Sequence, residues 1–246
     1  MASPIPRLSL VIPAYNEERY LSRLLDTVDA ARTRYAMAGG TMEIIVADNG
    51  STDTTAAIAA ARGCRVARVE IRNIGAVRNG GARLARGELI AFVDADIQVH
   101  PDTFVAIDHF LSSDAVAGGT TSATLDRWTP GLVSLFAIFW LLAWLTRVDT
   151  GVVFCRRADF ELIGGYDERR RVAEDVAFLV ALWQLAWRRG QWVVRIPRVK
   201  AVWSTRKWDH FGDWHYFKMI RYGRDLWLNR GDGAKFVDEY WYRPKR

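Results

Sequence analysis

The chain has 246 residues and a formal charge of +6, with half its residues hydrophobic and a quarter charged. It is long enough to bury a substantial core, and too apolar and too mixed in charge for a disordered or low-complexity protein. Its start runs straight into Leu8 without the basic, apolar and small-residue pattern of a secretory signal. Two distant cysteines, Cys64 and Cys155, make no disulfide or metal framework, so the expectation is buried thiols in a reducing, cytoplasmic setting.

Leu8 to Ile12 is a short run of β-formers stopped by Pro13, and from Glu17 onward Leu21, Leu24, Leu25 and Val28 fall at helix spacing. That predicts strand, loop, helix. Ile44 to Ala47 and the Ala-rich segment after Asp53 repeat the unit. Val66 to Ile71 predicts a third strand, Ala76 to Ala85 a third helix, and Leu89 to Val93 a fourth strand. The alternation predicts an α/β fold, a mainly parallel sheet with right-handed crossovers and flanking helices. In such sheets ligands collect beyond the carboxyl ends of strands. Three polar clusters stand there: Ala14 to Glu17, Asp48 to Asp53, and Asp94-Ala95-Asp96. Each also has a plainer reading: Asn16 and Ser51 or Thr52 as helix caps, Asp53 in a first helical turn, Asp94 and Asp96 in a solvated turn. Their shared position makes one common site the better expectation.

Asp94 and Asp96 are two apart, and on an extended chain they would point the same way, toward one divalent cation. Mg²⁺ and Mn²⁺ prefer oxygen ligands and share carboxylates with substrate phosphates. No G-x-G-x-x-G follows the first strand, and Gly75 to Gly81 lacks the Lys and Ser/Thr of a P-loop, which sets aside dinucleotide dehydrogenases and P-loop ATPases. Arg78 is placed either to meet phosphate by charge-assisted hydrogen bonds or to stand on a helix surface.

Further on, the run between Arg127 and Arg147 is uncharged. A helix over 131–146 would be about 24 Å long, short of the hydrocarbon core of about 30 Å. It therefore predicts a buried core helix, with an interfacial segment as the alternative. Glu174-Asp175 opens another helical pattern, carrying Val176, Phe178, Leu179, Leu182, Trp183 and Leu185. Between 183 and 246 there are fifteen Lys or Arg against six Asp or Glu, together with eight of the eleven tryptophans. Such a half suits phosphates or anionic lipid. Its positives are interspersed with apolar stretches rather than forming a recognition motif, so no nucleic acid is expected.

The ordered set Val11-Ile12-Pro13-Ala14-Tyr15-Asn16-Glu17-Glu18, Asp48-Asn49-Gly50-Ser51-Thr52-Asp53, Arg78-Asn79-Gly80-Gly81 and Asp94-Ala95-Asp96 resembles glycosyltransferase family 2, strongly over residues 8 to about 100. Phe154-Cys155-Arg156-Arg157, Gly164-Gly165-Tyr166-Asp167-Glu168 and Glu174-Asp175 are similar to that family's acceptor half. The resemblance implies a single GT-A domain: a Rossmann-like sheet with a donor half (1–100), an acceptor half (101–208) and a basic, Trp-rich helical tail (209–246). It implies that Pro13, Tyr15 and Glu17 line a nucleoside pocket and that Asp48 bonds the base. Arg78 would neutralise the diphosphate, Asp94 would lie near the ribose or the metal's water shell, and Asp96 would bind Mg²⁺ or Mn²⁺. Asp175 would be the general base of an inverting transfer and Glu174 a supporting acceptor contact. Ser204-Thr205-Arg206-Lys207-Trp208 falls where processive relatives carry Q-x-x-R-W. Ser in place of Gln and Lys in place of Arg argue against processive synthesis, while leaving Arg206 and Lys207 to hold diphosphate. His210 is a candidate further metal ligand, although a lone His near a Trp is more often packed or exposed.

The implied partners are a nucleoside-diphosphate sugar, UDP-linked by preference with GDP open, and a carbohydrate or lipid-linked acceptor. A membrane surface is a further partner, at the inner face of the cell membrane. Two readings compete. A nucleotidyltransferase would need a glycine-rich loop after the first strand. A non-catalytic nucleotide-sugar-binding or membrane-scaffold protein would have no need of Asp96 and Asp175.

Overall fold

The computed structural model describes residues 5–146, 149 and 151–214. Its first half follows the predicted alternation: β1 (Leu8–Ala14), α1 (Glu18–Met37), β2 (Met42–Asp48), α2 (Thr55–Ala61), β3 (Arg65–Arg68), α3 (Ile74–Ala82) and β4 (Leu89–Phe92). β3, β2, β1 and β4 are parallel neighbours in that order. β1 and β4 are buried at every position and β2 at all but its first residue, as expected of parallel strands covered on both faces. β3 is shorter than the apolar run that predicted it. It pairs with β2 only through Arg68, and Val69 N–H then donates to the Asp48 carbonyl as the chain leaves the ladder.

The second half is less regular: β5 (Ile97–Gln98), α4 (Thr103–Leu111), β6 (Val116–Leu125), α5 (Pro130–Thr146), β7 (Val153–Arg156), α6 (Arg157–Ile163), α7 (Glu174–Arg188), β8 (Trp192–Trp203) and α8 (Arg206–Phe211). The full order is β3-β2-β1-β4-β7-β6-β8-β5. β7 runs antiparallel to both β4 and β6, and β5 antiparallel to β8, so the sheet is mixed. β6 carries little strand signal because it contains Gly118-Gly119. These glycines permit close approach: a Cβ on Gly119 would lie 2.0 Å from the Val194 carbonyl oxygen.

Two apolar layers cover the sheet. Leu8, Leu10 and Ile12 face Leu21, Leu24, Leu25 and Val28 of α1 and Phe104 of α4. Val11, Ile45 and Phe92 face Val77 of α3, Phe160 of α6 and Phe178 and Leu182 of α7. A smaller cluster joins Leu125, Leu132, Leu135 and Trp208. α5 is accordingly neither a fully buried core helix nor a spanning one. Leu132 and Leu135 are buried, whereas Val133, Ile138 and Leu141 are 50, 41 and 51% exposed. No helix among the described residues is long and apolar enough to cross a membrane. Cys64 and Cys155 are free, buried thiols, and burial pushes Cys64 up to about 11. Residues 215–246 of the expected helical tail lie outside the described residues.

Candidate active site

The carboxyl ends of β1, β2 and β4 bring the three polar clusters together. Ala14 pairs with Asp48 across the ladder, and Asn49 N–H donates to the Ala14 carbonyl at 2.9 Å. Asn16 takes a positive φ of 54°, and there it stitches two loops. Its N–H donates to Ser51 Oγ at 3.0 Å, and its Oδ1 accepts from Thr52 N–H at 2.8 Å. Glu17 N–H donates to Thr55 Oγ1 at 2.8 Å. Asn16, Ser51 and Thr52 are therefore cross-loop ties rather than helix caps, because these partners lie on the neighbouring loop; the N-cap of α1 is Glu17, without a side-chain bond. Asp48 is buried and accepts from Ser51 N–H at 3.3 Å. Pro13 is buried in β1 and Tyr15 is half-buried beside it, with the Arg72 guanidinium 5.5 Å from the tyrosine ring centre.

Asp94 and Asp96 do not share one face of a strand. Ile97 N–H donates to the Asp94 carbonyl at 3.1 Å, closing a turn with Ala95 and Asp96 at its centre. The extended geometry that would have aligned the two carboxylates is lost, and each turns to a different arginine. Asp94 Oδ1 accepts from Arg78 Nη2 at 2.7 Å, and Asp96 Oδ2 accepts from Arg206 Nε at 2.9 Å.

Arg206 is the first residue of α8, and the local chain fixes it there. β8 pairs with β5 at Trp203–Ile97, while the N–H and hydroxyl of Thr205 both donate to Asp126 Oδ1. From that anchor the guanidinium reaches the donor-side loops. Nη1 and Nη2 donate to Glu17 Oε2 and Oε1, each at 2.5 Å, and the group stacks 4.3 Å from the Tyr20 ring centre. Burial works against its charge, but Glu17 and Asp96 win, and Arg206 is held above its ordinary value. The side chains of Lys207 and His210 lie outside the described part of the structure.

Arg78 is the second arginine, and it is buried. Nη1 donates to Glu174 Oε1 at 2.5 Å and its Cζ lies 5.1 Å from the Tyr166 ring centre. Burial pushes Glu174 up, Arg78 pulls it down and Asp175 pushes it up again, with a net upward shift. Glu174 thus faces inward onto Arg78. Asp175 is half-buried, and its Oδ1 accepts from Val176 N–H at 2.8 Å. Just before this pair, Ala173 caps α7 with φ 55° and ψ 31°. Among the described residues, the two non-glycine residues at positive φ, Asn16 and Ala173, therefore both lie at this end of the sheet, where strained backbone often marks function.

Asn79, the neighbour of Arg78, is a further residue of this end of the sheet. It joins α3 to the Gly164–Glu168 turn: Nδ2 donates to the Tyr166 carbonyl and to Glu168 Oε1, and Oδ1 accepts from Tyr166 N–H, each at 2.9 Å. The available signal was its place beside Arg78 in Arg-Asn-Gly-Gly.

Carboxylate oxygens are the donors that a hard cation prefers. Among the described residues no three acidic, His or Cys side chains converge on one point. Glu17 and Asp96 nevertheless meet around one positive group, the Arg206 guanidinium. A carboxylate such as Asp96 can contribute one oxygen to Mg²⁺ or Mn²⁺, which draw their other ligands from phosphate and water.

The sequence profile of glycosyl transferase family 2 matches residues 9–166. The chain belongs to this family. Over 144 residues it is 40% identical to undecaprenyl-phosphate 4-deoxy-4-formamido-L-arabinose transferase of Pseudomonas paraeruginosa, a match covering 54% of this chain and 42% of that protein. The matched stretches span less than half the length of the curated relatives, 22% in the case of a validoxylamine A glucosyltransferase from Streptomyces hygroscopicus. In structure it resembles a mannosyltransferase from Pyrobaculum calidifontis in complex with GDP-Man and Mn²⁺. The TM-score is 0.63 at 20% identity, over 88% of this chain and 64% of that one. It also resembles glucosyl-3-phosphoglycerate synthase from Mycobacterium tuberculosis with Mn²⁺ and UDP bound, with a TM-score of 0.60 at 20% identity over 89% of this chain and 80% of that one. At these identities the likeness is one of fold, and that fold is GT-A. The family 2 assignment makes the strand-end cluster the place to seek sugar transfer.

Proposed function

We propose that this family 2 glycosyltransferase carries out an inverting transfer from a nucleoside-diphosphate sugar, UDP-linked by preference, to an acceptor hydroxyl of a lipid-linked, membrane-proximal molecule. The observation that carries this reading is the convergence of Asp48, Glu17, Asp96 and Arg206 at the carboxyl ends of the parallel strands, with Glu174-Asp175 joined to the same end through Arg78. Pro13 and Tyr15 wall the nucleoside, and the buried Asp48 accepts a ring N–H of the base, which rejects bases lacking that donor. Arg206 and Lys207 hold the diphosphate. Asp96 would hold the divalent cation, and Asp94 would lie near the ribose or the cation's water shell. When bound, that cation supplies Lewis-acid stabilisation to the departing nucleoside diphosphate. Asp175 takes the acceptor's proton as its oxygen attacks the anomeric carbon opposite the leaving group, a single displacement without a covalent intermediate.

The lipid-linked acceptor draws on the undecaprenyl-phosphate relative and on the exposed apolar side of α5, which would rest on the bilayer with Trp128 beside it. The test is a donor screen with Mn²⁺ or Mg²⁺, reading nucleoside-diphosphate release with and without membrane extract. Release that requires a divalent cation and collapses in Asp96→Ala supports the reading. Release unchanged by that substitution removes the metal from Asp96.

A further inference from the structure

The Arg78 guanidinium is held at both terminal nitrogens and over one face. It bridges Asp94, on the loop after β4, and Glu174, in the first turn of α7, at 2.7 and 2.5 Å. It also lies over Tyr166, whose ring stacks at 4.7 Å on Phe178 of α7. Arg78 and Glu174 are only 8 and 7% exposed. The helix that carries Arg78 is pinned as well. A Cβ on Gly80 would come within 2.3 Å of Val69 Cγ2, and one on Gly81 within 2.5 Å of Val11 Cγ1, so α3 sits against the sheet more closely than any larger residue allows. Asn79 secures the adjacent turn through three hydrogen bonds. Swinging either terminal nitrogen of Arg78 to a diphosphate would take it from a carboxylate, in the case of Glu174 a buried one left unpaired at high cost.

We infer that Arg78 is a positioning residue that yokes the two halves of the site, fixing the first turn of α7, and with it Asp175, against the loop that carries Asp94 and Asp96. The inference rests on the transfer reading above. It requires arginine: a planar fork can give separate nitrogens to two carboxylates, whereas an ammonium on a flexible stem cannot hold both in register.

The experiment uses the full chain and Arg78→Lys. Binding of UDP and of GDP, each with Mn²⁺, is measured by calorimetry, and kcat with the donor found in the screen. Nucleotide affinity is expected within about 3-fold of wild type while kcat falls at least about 10-fold, the pattern of a lost transition-state alignment. Glu174→Gln removes the other end of the bridge and is expected to give the same split. Nucleotide affinity falling in step with kcat in Arg78→Lys would make Arg78 a diphosphate ligand and overturn the inference, as would an unchanged kcat. Amide exchange over residues 174–178 gives a readout independent of turnover. It is expected to speed up in Arg78→Lys, and unchanged exchange also overturns the inference. A wild type that binds neither nucleotide sinks the transferase reading alone.

Discussion

Glu43 stands at the amino end of the sheet, away from the candidate site, and shows what a purely structural carboxylate does. It accepts from the Ser9 hydroxyl at 2.8 Å and from Arg86 N–H at 2.7 Å, and it pairs with Arg65 at 2.7 Å. Burial alone would raise its pKa, but these partners together bring it below the ordinary glutamate value of 4.5. Because the folded pKa is depressed, its stabilisation is complete above about 4.5 and is lost as pH falls through the folded value. Glu43→Gln is expected to cost about 1.5–3 kcal/mol at pH 7, with the gap to wild type narrowing in acid. Urea unfolding at several pH values measures it, and a gap independent of pH refutes it. Asp175→Asn, by contrast, is expected to keep nucleotide binding and lose transfer by at least about 100-fold, the scale of a general base; near-normal turnover removes the base assignment. Glu17, Asp96 and Asp175 could be picked out in the sequence by type and spacing, whereas Glu43 could not. Their partners could not, since Arg206 lies 110 residues from Asp96 and 189 from Glu17.

The elements of the first half were legible because the buried parallel strands are dominated by short apolar runs, broken only by a few polar residues such as Ser9 and Glu43, and α1 carries a regular apolar face. α7 was legible too, from its acids to its buried Phe178, Leu179 and Leu182. What introduces α7 was not: Ala173 holds a left-handed conformation that an alanine disfavours, and nothing local in the sequence requires it. Ala173→Gly is expected to stabilise the fold by about 0.5–1 kcal/mol, the relief of the left-handed penalty less glycine's entropy. A thermal melt that shows no gain would mean that the turn is unstrained. β6 escaped notice for the opposite reason. Its glycines serve close packing against β8 and remove the side chains by which a strand is recognised.

At the scale of the whole molecule, α5 divides its apolar surface between the protein and the solvent. Val133, Ile138 and Leu141 form an exposed side opposite Leu132 and Leu135. If the acceptor is membrane-bound, this side provides the contact, and the chain is expected to float with anionic liposomes. Ile138→Ser with Leu141→Ser is expected to reduce flotation severalfold, since each exposed aliphatic side chain contributes about 1–2 kcal/mol of burial. Wild type that stays at the bottom of the gradient ends the membrane reading. The sequence by itself determined the α/β class, the family and the acids at the strand ends, because burial periodicity and residue chemistry are local properties of the chain. Only the tertiary structure decided which cation each acid meets. It sent Asp94 to Arg78 and Asp96 to Arg206, because a turn rotated the two carboxylates apart and long-range packing brought a different arginine to each.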